Sequence, residues 1–292
     1  MKKNKVIDVH HHVFPPDHAV HKWDIQSDIA AMERCGVTDV YLSCPLVTDS
    51  STAHSFNEYM ASQVKVCPEH YKMLGALPYD NVNAALDEIS YILDDLGAPG
   101  FGLNTHNHDI YMGDDSLDVI FEELNRRQAV IVLHPCHKRH SRNEKILFTG
   151  NDSVYEYTFD TTRAVMDFVF KDKVRRWPDI RWIMPHAGGT IPFLAHRMSI
   201  SGRWGCIEQH EDEIMDILKS FYYDLALNNC ELNYSFLKGF VGADHLLFGS
   251  DYPAGNEAML SDDLKELDRT EVFSETEKTA ILSGNVGRLF AL

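Results

Sequence analysis

The sequence predicts an α/β fold, a (β/α)8 barrel of parallel strands, and three observations carry that expectation. Eight short apolar runs, rich in β-branched and aromatic residues, recur along the whole chain. Amphipathic segments with apolar residues at helical spacing separate them, as in a parallel α/β protein. No G-x-G-x-x-G follows the first run, which weakens the alternative of a doubly wound open sheet. A chain of 292 residues is long enough for two average domains, yet barrels of this length are ordinary as one unit, so residues 1–292 are expected to form one domain.

The expected strands are "VIDVHHHV" (6–13), "VTDVYLSC" (37–44), "KMLGALPY" (72–79), "GFGLNTH" (100–106), "AVIVLHP" (129–135), "IRWIMPHAG" (180–188), "FYYDLALN" (221–228) and "HLLFGSDYP" (245–253). Segments such as "IQSDIAAMERCG", "NVNAALDEISYILDDLG" and "DSLDVIFEELNRRQ" read as the helices between them. Two connections are long, 137–160 after the fifth strand and 199–214 after the sixth, and are expected to form a lid or an oligomer contact.

Composition narrows the function. With 44% hydrophobic and 24% charged residues the chain is that of a folded globular protein. Its net charge of −17 would repel a nucleic-acid backbone or an anionic membrane, so neither is expected as a partner. The basic start "MKKNK" leads into no apolar run of signal-peptide length, and a cytoplasmic protein is expected. Six cysteines lie scattered without a C-x-x-C pair, so buried, reduced thiols are the default expectation.

The chemistry collects at strand ends. Period-two alternation in the first strand places Asp8, His10 and His12 on one face and Ile7, Val9, His11 and Val13 on the other. His10 and His12 then point into the barrel with an H-x-H spacing that lets both reach one ion, while Pro15 and Pro16 turn the chain away and His11 is a bystander. The fifth strand ends in His134, the sixth in His186 and the eighth in Asp251. One strand-end histidine is ordinarily a hydrogen-bonded structural residue, but four strands converging on the C-terminal face make a site. Three imidazoles and a carboxylate suit a single Zn2+, with Mn2+ or Fe2+ tolerated and room left for water or substrate.

The motifs "DVHHH" (8–12), "LHP" (133–135), "PHAGGTIPFLAHR" (185–197), "FGSDYP" (248–253) and "GNVGRLF" (284–290) resemble the amidohydrolase superfamily over essentially the whole chain. The branch is that of aminocarboxymuconate-semialdehyde decarboxylase and related aromatic-acid decarboxylases. Segments 111–135 and 157–169 look most like the 6-methylsalicylate decarboxylase type. The resemblance implies that His10, His12, His134 and Asp251 bind one metal, that His186 is catalytic or orients substrate, and that no organic cofactor takes part. A carboxylated lysine on the fourth strand, as in binuclear members, has no counterpart in "GFGLNTHNH". A homodimer is expected from the same resemblance.

The remaining polar residues are weighed against bland readings. His106 and His108 in "THNHD" read as loop residues touching substrate or solvent, and His137 and His140 as lid residues. Arg197 resembles a family arginine that contacts a substrate carboxylate, sometimes across a subunit boundary, with a surface ion pair as the plain alternative. Arg163 is a second candidate. A small anionic carboxylate entering so acidic a protein needs such cationic help. His196 and Asp8 read as supporting residues, Asp8 as a carboxylate that orients a ligand imidazole.

The leading expectation is non-oxidative decarboxylation of a small aromatic or unsaturated carboxylic acid. The same ligands would also serve hydrolysis of a lactone or amide, as in pyrone-dicarboxylate lactonases, where metal-bound water attacks the carbonyl. A metal-binding barrel without turnover is the third reading, disfavoured because a structural zinc site is more typically closed and cysteine-rich.

Overall fold

The computed structural model describes residues 5–15, 23–136, 152–205 and 207–290. Pro16, His137, His140, Cys206 and segment 137–151 of the first long connection, on all of which expectations fell, lie outside the described residues.

Each expected run carries one strand, the third beginning one residue early at Tyr71: β1 (Ile7–His12), β2 (Asp39–Ser43), β3 (Tyr71–Met73, resuming at Gly75–Ala76), β4 (Phe101–Asn104), β5 (Val130–His134), β6 (Arg181–Met184), β7 (Tyr222–Asp224) and β8 (Leu246–Leu247). All pair in parallel in chain order. The two pieces of β3 are tied to both neighbours, because Leu74 N–H donates to Leu42 C=O (2.8 Å) and Gly75 N–H to Gly100 C=O (3.0 Å). The ring closes where Val9 N–H donates to Phe248 C=O (3.2 Å) and His11 bridges Tyr252. Eight parallel strands in a closed ring leave no edge.

The strands are shorter than the apolar runs because each run continues into the loop at its C-terminal end. Thus β6 stops at Met184, two residues before His186, and β8 at Leu247, four before Asp251. The connection at 199–214 is also less of an insertion than expected, since Ser199 ends one helix (Ile191–Ser199) and Glu211 begins the next (Glu211–Ser220). After β4 comes a small antiparallel pair, His106–Asn107 with Ile110–Tyr111, that the sequence did not announce.

Alternation in β1 is interrupted. Ile7 pairs with Asp39 and Asp8 with Val40, but His11 pairs with Leu42, so β1 carries one residue more than β2 between these points. The bulge corrects the expected division of faces. Ile7 and Val9 belong to the inner cluster with Leu74, Val130, Val132, Ile183 and Leu247, while Val13 joins the outer cluster under the helices. Past the bulge the faces exchange, so that His10 and His12 turn inward and Asp8 and His11 bond to each other.

The floor of the barrel is filled by the helix Asn285–Phe290, whose Val286 and Leu289 complete the inner cluster. The helices outside form one larger apolar core with the outward faces of the strands. They follow local rules: Asp24 caps Ile25–Cys35 by accepting from Gln26 and Ser27 N–H, and Gly36 ends it at φ 84°. No described helix is long and apolar enough to cross a membrane. The described cysteines are free, but Cys230 is exposed rather than buried, because it sits at a helix start and not in the core.

Leu289→Ala should empty part of the floor and cost about 2–5 kcal/mol. The expected result is a lower urea midpoint with an unchanged slope.

Candidate metal centre

His10 and His12 reach the C-terminal mouth from β1, His134 from the last position of β5, and His186 and Asp251 from the turns after β6 and β8. All five are buried. The ring centroid of His10 stands 5.0 Å from that of His12, 5.1 Å from His134 and 4.8 Å from His186. Asp251 Oδ1 lies 2.8 Å from His12 Nε2 and 3.4 Å from His10 Nε2, and its Oδ2 lies 3.7 Å from His186 Nε2. Donor atoms of His10, His134, His186 and Asp251 all fall within 4.8 Å of one another. His186 thus stands in this group beside His10 and His134, while His12 adjoins it through Asp251.

Hydrogen bonding fixes which nitrogens are free. His10 Nδ1 faces Asp224 Oδ2 at 2.8 Å and His134 Nδ1 faces Pro135 C=O at 2.7 Å. Ionised carboxylates and carbonyls only accept, so both Nδ1 atoms donate, and in the neutral rings both Nε2 atoms keep a lone pair. These Nε2 atoms are buried without a hydrogen-bond partner. Two orphaned imidazole lone pairs beside a carboxylate are a cation site by their chemistry: separations of about 3–3.5 Å arise between ligands that share one ion at ~2.0–2.2 Å. The residues fit a divalent metal.

The electrostatics agree. Burial opposes charge on His10, but Asp224 and then Asp251 outweigh it and raise its pKa to about 10. Burial, followed by His12, His10 and His186, holds His134 far below the ordinary imidazole range. Burial works against an ionised Asp251 as well, yet the His10, His12 and His186 imidazoles around it keep it well below the usual carboxylate range. The pocket keeps His134 neutral and Asp251 ionised and holds positive charge on His10, so a cation bound among them would take the place of the His10 Nε2 proton.

Asp224 is the residue that sequence reasoning missed. It ends β7, is fully buried, accepts from His10 Nδ1, and takes the backbone N–H of His186 on Oδ1 at 2.9 Å. One carboxylate therefore orients one imidazole and anchors the backbone of another. The rule that found His134 and Asp251 also selects Asp224, but the apolar "LAL" after it hid the strand end.

Two backbone turns aim the loop residues. His186 and Ala187 have φ of 51° and 57°, continuing into Gly188 and Gly189, and Asp251 has φ of 60°. Left-handed backbone in residues with a β-carbon costs of order 1 kcal/mol or more and concentrates at functional sites. Gly249 permits the closest approach, since a β-carbon there would lie 2.7 Å from His10 Cβ and 3.2 Å from Asp224 Cβ.

Asp8 does not orient a ligand imidazole, in contrast to expectation. Lying before the bulge and on the outer side of the strand, it accepts from His11 Nδ1 (2.9 Å), from the N–H groups of His10 and Ser250 (3.1 Å each) and from the Ser250 hydroxyl. Asp28 receives His11 Nε2 at 3.0 Å, Trp23 Nε1 at 3.0 Å and the Tyr71 hydroxyl at 2.6 Å. His11 is thereby a buried strut between two carboxylates; burial lowers its pKa, but Asp28 and Asp8 prevail and raise it to about 10.

The arginines are elsewhere within this chain. Arg197 is exposed on the helix Ile191–Ser199 with its guanidinium 5.0 Å from the Trp204 ring centre. Arg163 is exposed 3.7 Å from both Glu156 and Asp160. His196 is exposed too. His108 meets Asp49 (2.9 Å) beside Asp80, at the rim.

A closed parallel barrel with these side chains converging at its C-terminal mouth defines a metal-dependent barrel enzyme. Residues 7–292 match the amidohydrolase family, and the chain belongs to it. A decarboxylase of Aspergillus niger is 28% identical over 97% of this chain and 87% of its own length. A 6-methylsalicylic acid decarboxylase of Aspergillus aculeatus is 31% identical over 85% of this chain and 84% of its own. The 5-carboxyvanillate decarboxylase structure from Novosphingobium aromaticivorans, complexed with manganese, has a TM-score of 0.89 at 17% identity, covering 99% of this chain and 96% of that one. That from Sphingomonas paucimobilis gives 0.87 at 19%, covering 98% and 99%. The likeness in structure bears out the barrel.

Asp224→Asn keeps the shape but weakens the orienting bond, so zinc affinity should fall roughly 10–100-fold in a chelator competition, with circular dichroism unchanged. For His11 the folded pKa exceeds the unfolded one, so its stabilisation is whole below about pH 6.5 and is lost as pH rises toward about 10. His11→Gln should accordingly destabilise more at pH 6 than at pH 10 in urea titrations.

Proposed function

We propose that the chain is a metal-dependent, non-oxidative decarboxylase of a small aromatic or unsaturated carboxylic acid. The observation that carries this is the pair of orphaned Nε2 atoms on His10 and His134 beside ionised Asp251. The relatives named as decarboxylases, matched over most of both chains, support the chemistry.

His10, His12, His134 and Asp251 would hold one divalent ion, His186 lying against Asp251 on the same mouth. Zinc is the ion that a nitrogen-rich set favours; manganese, present in a structural neighbour, is the alternative. When bound, the ion supplies a Lewis acid and a template for the substrate carboxylate. The proton for the reaction would be carried by His186, whose Nε2 lies 3.7 Å from Asp251 Oδ2. That proton passes to the ring carbon bearing the carboxylate, the carbon–carbon bond to the carboxylate breaks, its electron pair restores conjugation, and CO2 departs. Arg197 and Arg163 are both exposed in the single chain, Arg197 against Trp204 and Arg163 near Glu156 and Asp160. Their proposed role in holding the carboxylate is therefore tied to a homodimer, for which exposed Phe193 and Trp204 beside Arg197 offer an apolar face.

Metal-reconstituted protein should release CO2 from at least one member of a panel of hydroxybenzoates and muconate-type acids. Chelation should abolish the release, zinc or manganese should restore it, and Asp251→Asn and His186→Ala should each reduce it by at least about a hundredfold. Silence across the panel, with solvent oxygen appearing in a lactone-derived product, would instead assign hydrolysis.

A further inference from the structure

Two residues of β1 are foreign to the apolar layer that surrounds them. The neighbouring residues turned toward the helices, Val13, Val40 and Leu42, belong to the outer core, yet Asp8 and His11 are completely buried in the same layer. Burying a carboxylate and an imidazole is unfavourable unless each finds partners, and apolar side chains would fill this space without that demand.

The polar chain extends outward from this pair. On the helix Ile25–Cys35, Asp28 is 2% exposed and receives His11 Nε2 on Oδ1 at 3.0 Å. The same oxygen accepts from Trp23 Nε1 at 3.0 Å, and Oδ2 accepts the Tyr71 hydroxyl at 2.6 Å. Tyr71 stands in the outer core on β3, in register with Val40. Three donors therefore hold one carboxylate between the helix and the barrel wall. Asp28 bonds to no residue of the metal centre; it reaches the centre through His11, whose Nδ1 holds Asp8 Oδ2 at 2.9 Å.

The inner end of the chain is the turn that carries Asp251. Three consecutive backbone N–H groups are held there: that of Ser250 by Asp8 Oδ1 (3.1 Å), that of Asp251 by His10 C=O (2.8 Å) and that of Tyr252 by Ser250 Oγ (3.0 Å). The Ser250 hydroxyl donates to Asp8 Oδ2, and the His10 N–H donates to Asp8 Oδ1 at 3.1 Å. Asp8 thus joins the strand that carries His10 to the turn that carries Asp251. At φ 60°, Asp251 keeps its backbone only while its surroundings over-determine it.

We infer that Asp28 is a positioning residue for the metal centre: with the Tyr71 hydroxyl behind it, it sets the His11 ring, and through Asp8 it holds the turn that aims Asp251. The inference rests on the metal-binding half of the proposed function and is independent of the substrate. Both nitrogens of His11 face carboxylates, so the ring is held at each end only while both partners accept. An amide at position 28 keeps the size but has one accepting oxygen for three donors, which releases at least one of them.

The test is zinc affinity in a chelator competition, which needs no turnover. Asp28→Asn should weaken zinc about tenfold or more and Tyr71→Phe about threefold, and cobalt-loaded Asp28→Asn should show a shifted visible band. Met32→Ala is the control, a truncation in the core side of the same helix, where no hydrogen bond of the chain passes. It should lower the urea midpoint through packing and keep zinc affinity within about twofold of wild type. Because Asp28 acts through Asp251, the losses in Asp28→Asn and Asp251→Asn should fall short of adding in the double variant. Wild-type zinc affinity and an unmoved cobalt band in Asp28→Asn overturn the inference, as do additive losses. If Asp28→Asn fails to fold, Tyr71→Phe decides: wild-type zinc affinity with a lowered urea midpoint makes the chain purely structural. The expected affinity losses in a protein that releases no CO2 overturn the decarboxylase reading and spare the positioning role. CO2 release with zinc affinity unmoved by either substitution does the reverse.

Discussion

One extra residue in the first strand decides what the barrel can hold. Without the slip between Asp8 and His11, the parity that buries Ile7 and Val9 in the inner cluster would turn His10 and His12 toward the helices. The bulge lets a single strand supply apolar filling to the lower half of the barrel and two imidazoles to its mouth. It survives because Asp8, on the outer side, gathers His11, Ser250 and the His10 N–H, and so clips the bulged strand to the turn after β8. Gly249 completes the fit, since any side chain there would collide with His10.

From this seam the cost of the site is distributed. Burying four imidazoles around a carboxylate without partners would be prohibitive. Asp224 and the Pro135 carbonyl each satisfy one ring nitrogen, and the left-handed residues at 186 and 251 are restrained by hydrogen bonds to Asp224 and to His10 C=O. Within the site, the ring nitrogens left unsatisfied are His10 Nε2, His134 Nε2 and His186 Nδ1. The polar shell is thus built from residues that never meet substrate, which fits the high demand for rigidity in a site of this kind.

Much of this was legible in the sequence. Eight apolar runs with period two or continuous hydrophobicity marked eight strands, and the ionisable residue after each of four of them marked the mouth. Strand ends ran too long because loop residues such as Pro185 and Phe248 are as apolar as the strands they follow. The bulge left no trace, because "VIDVHHHV" alternates equally well with or without it. Asp224 escaped because apolar residues continue beyond it, and Asp8 was given the task that Asp224 performs.

The same seam has a temporal side. His12 and Asp251 touch although 239 residues separate them in the chain, so the ring is joined only by its first and last strands. Contacts of such span pay their loop-closure entropy before they return any stabilisation. As the chain leaves the ribosome, β1 must wait with its sticky edge and its imidazoles uncovered until the eighth strand arrives. Nascent β1 is therefore the segment that most needs shielding during synthesis, and the metal centre is among the last parts of the molecule to come into being.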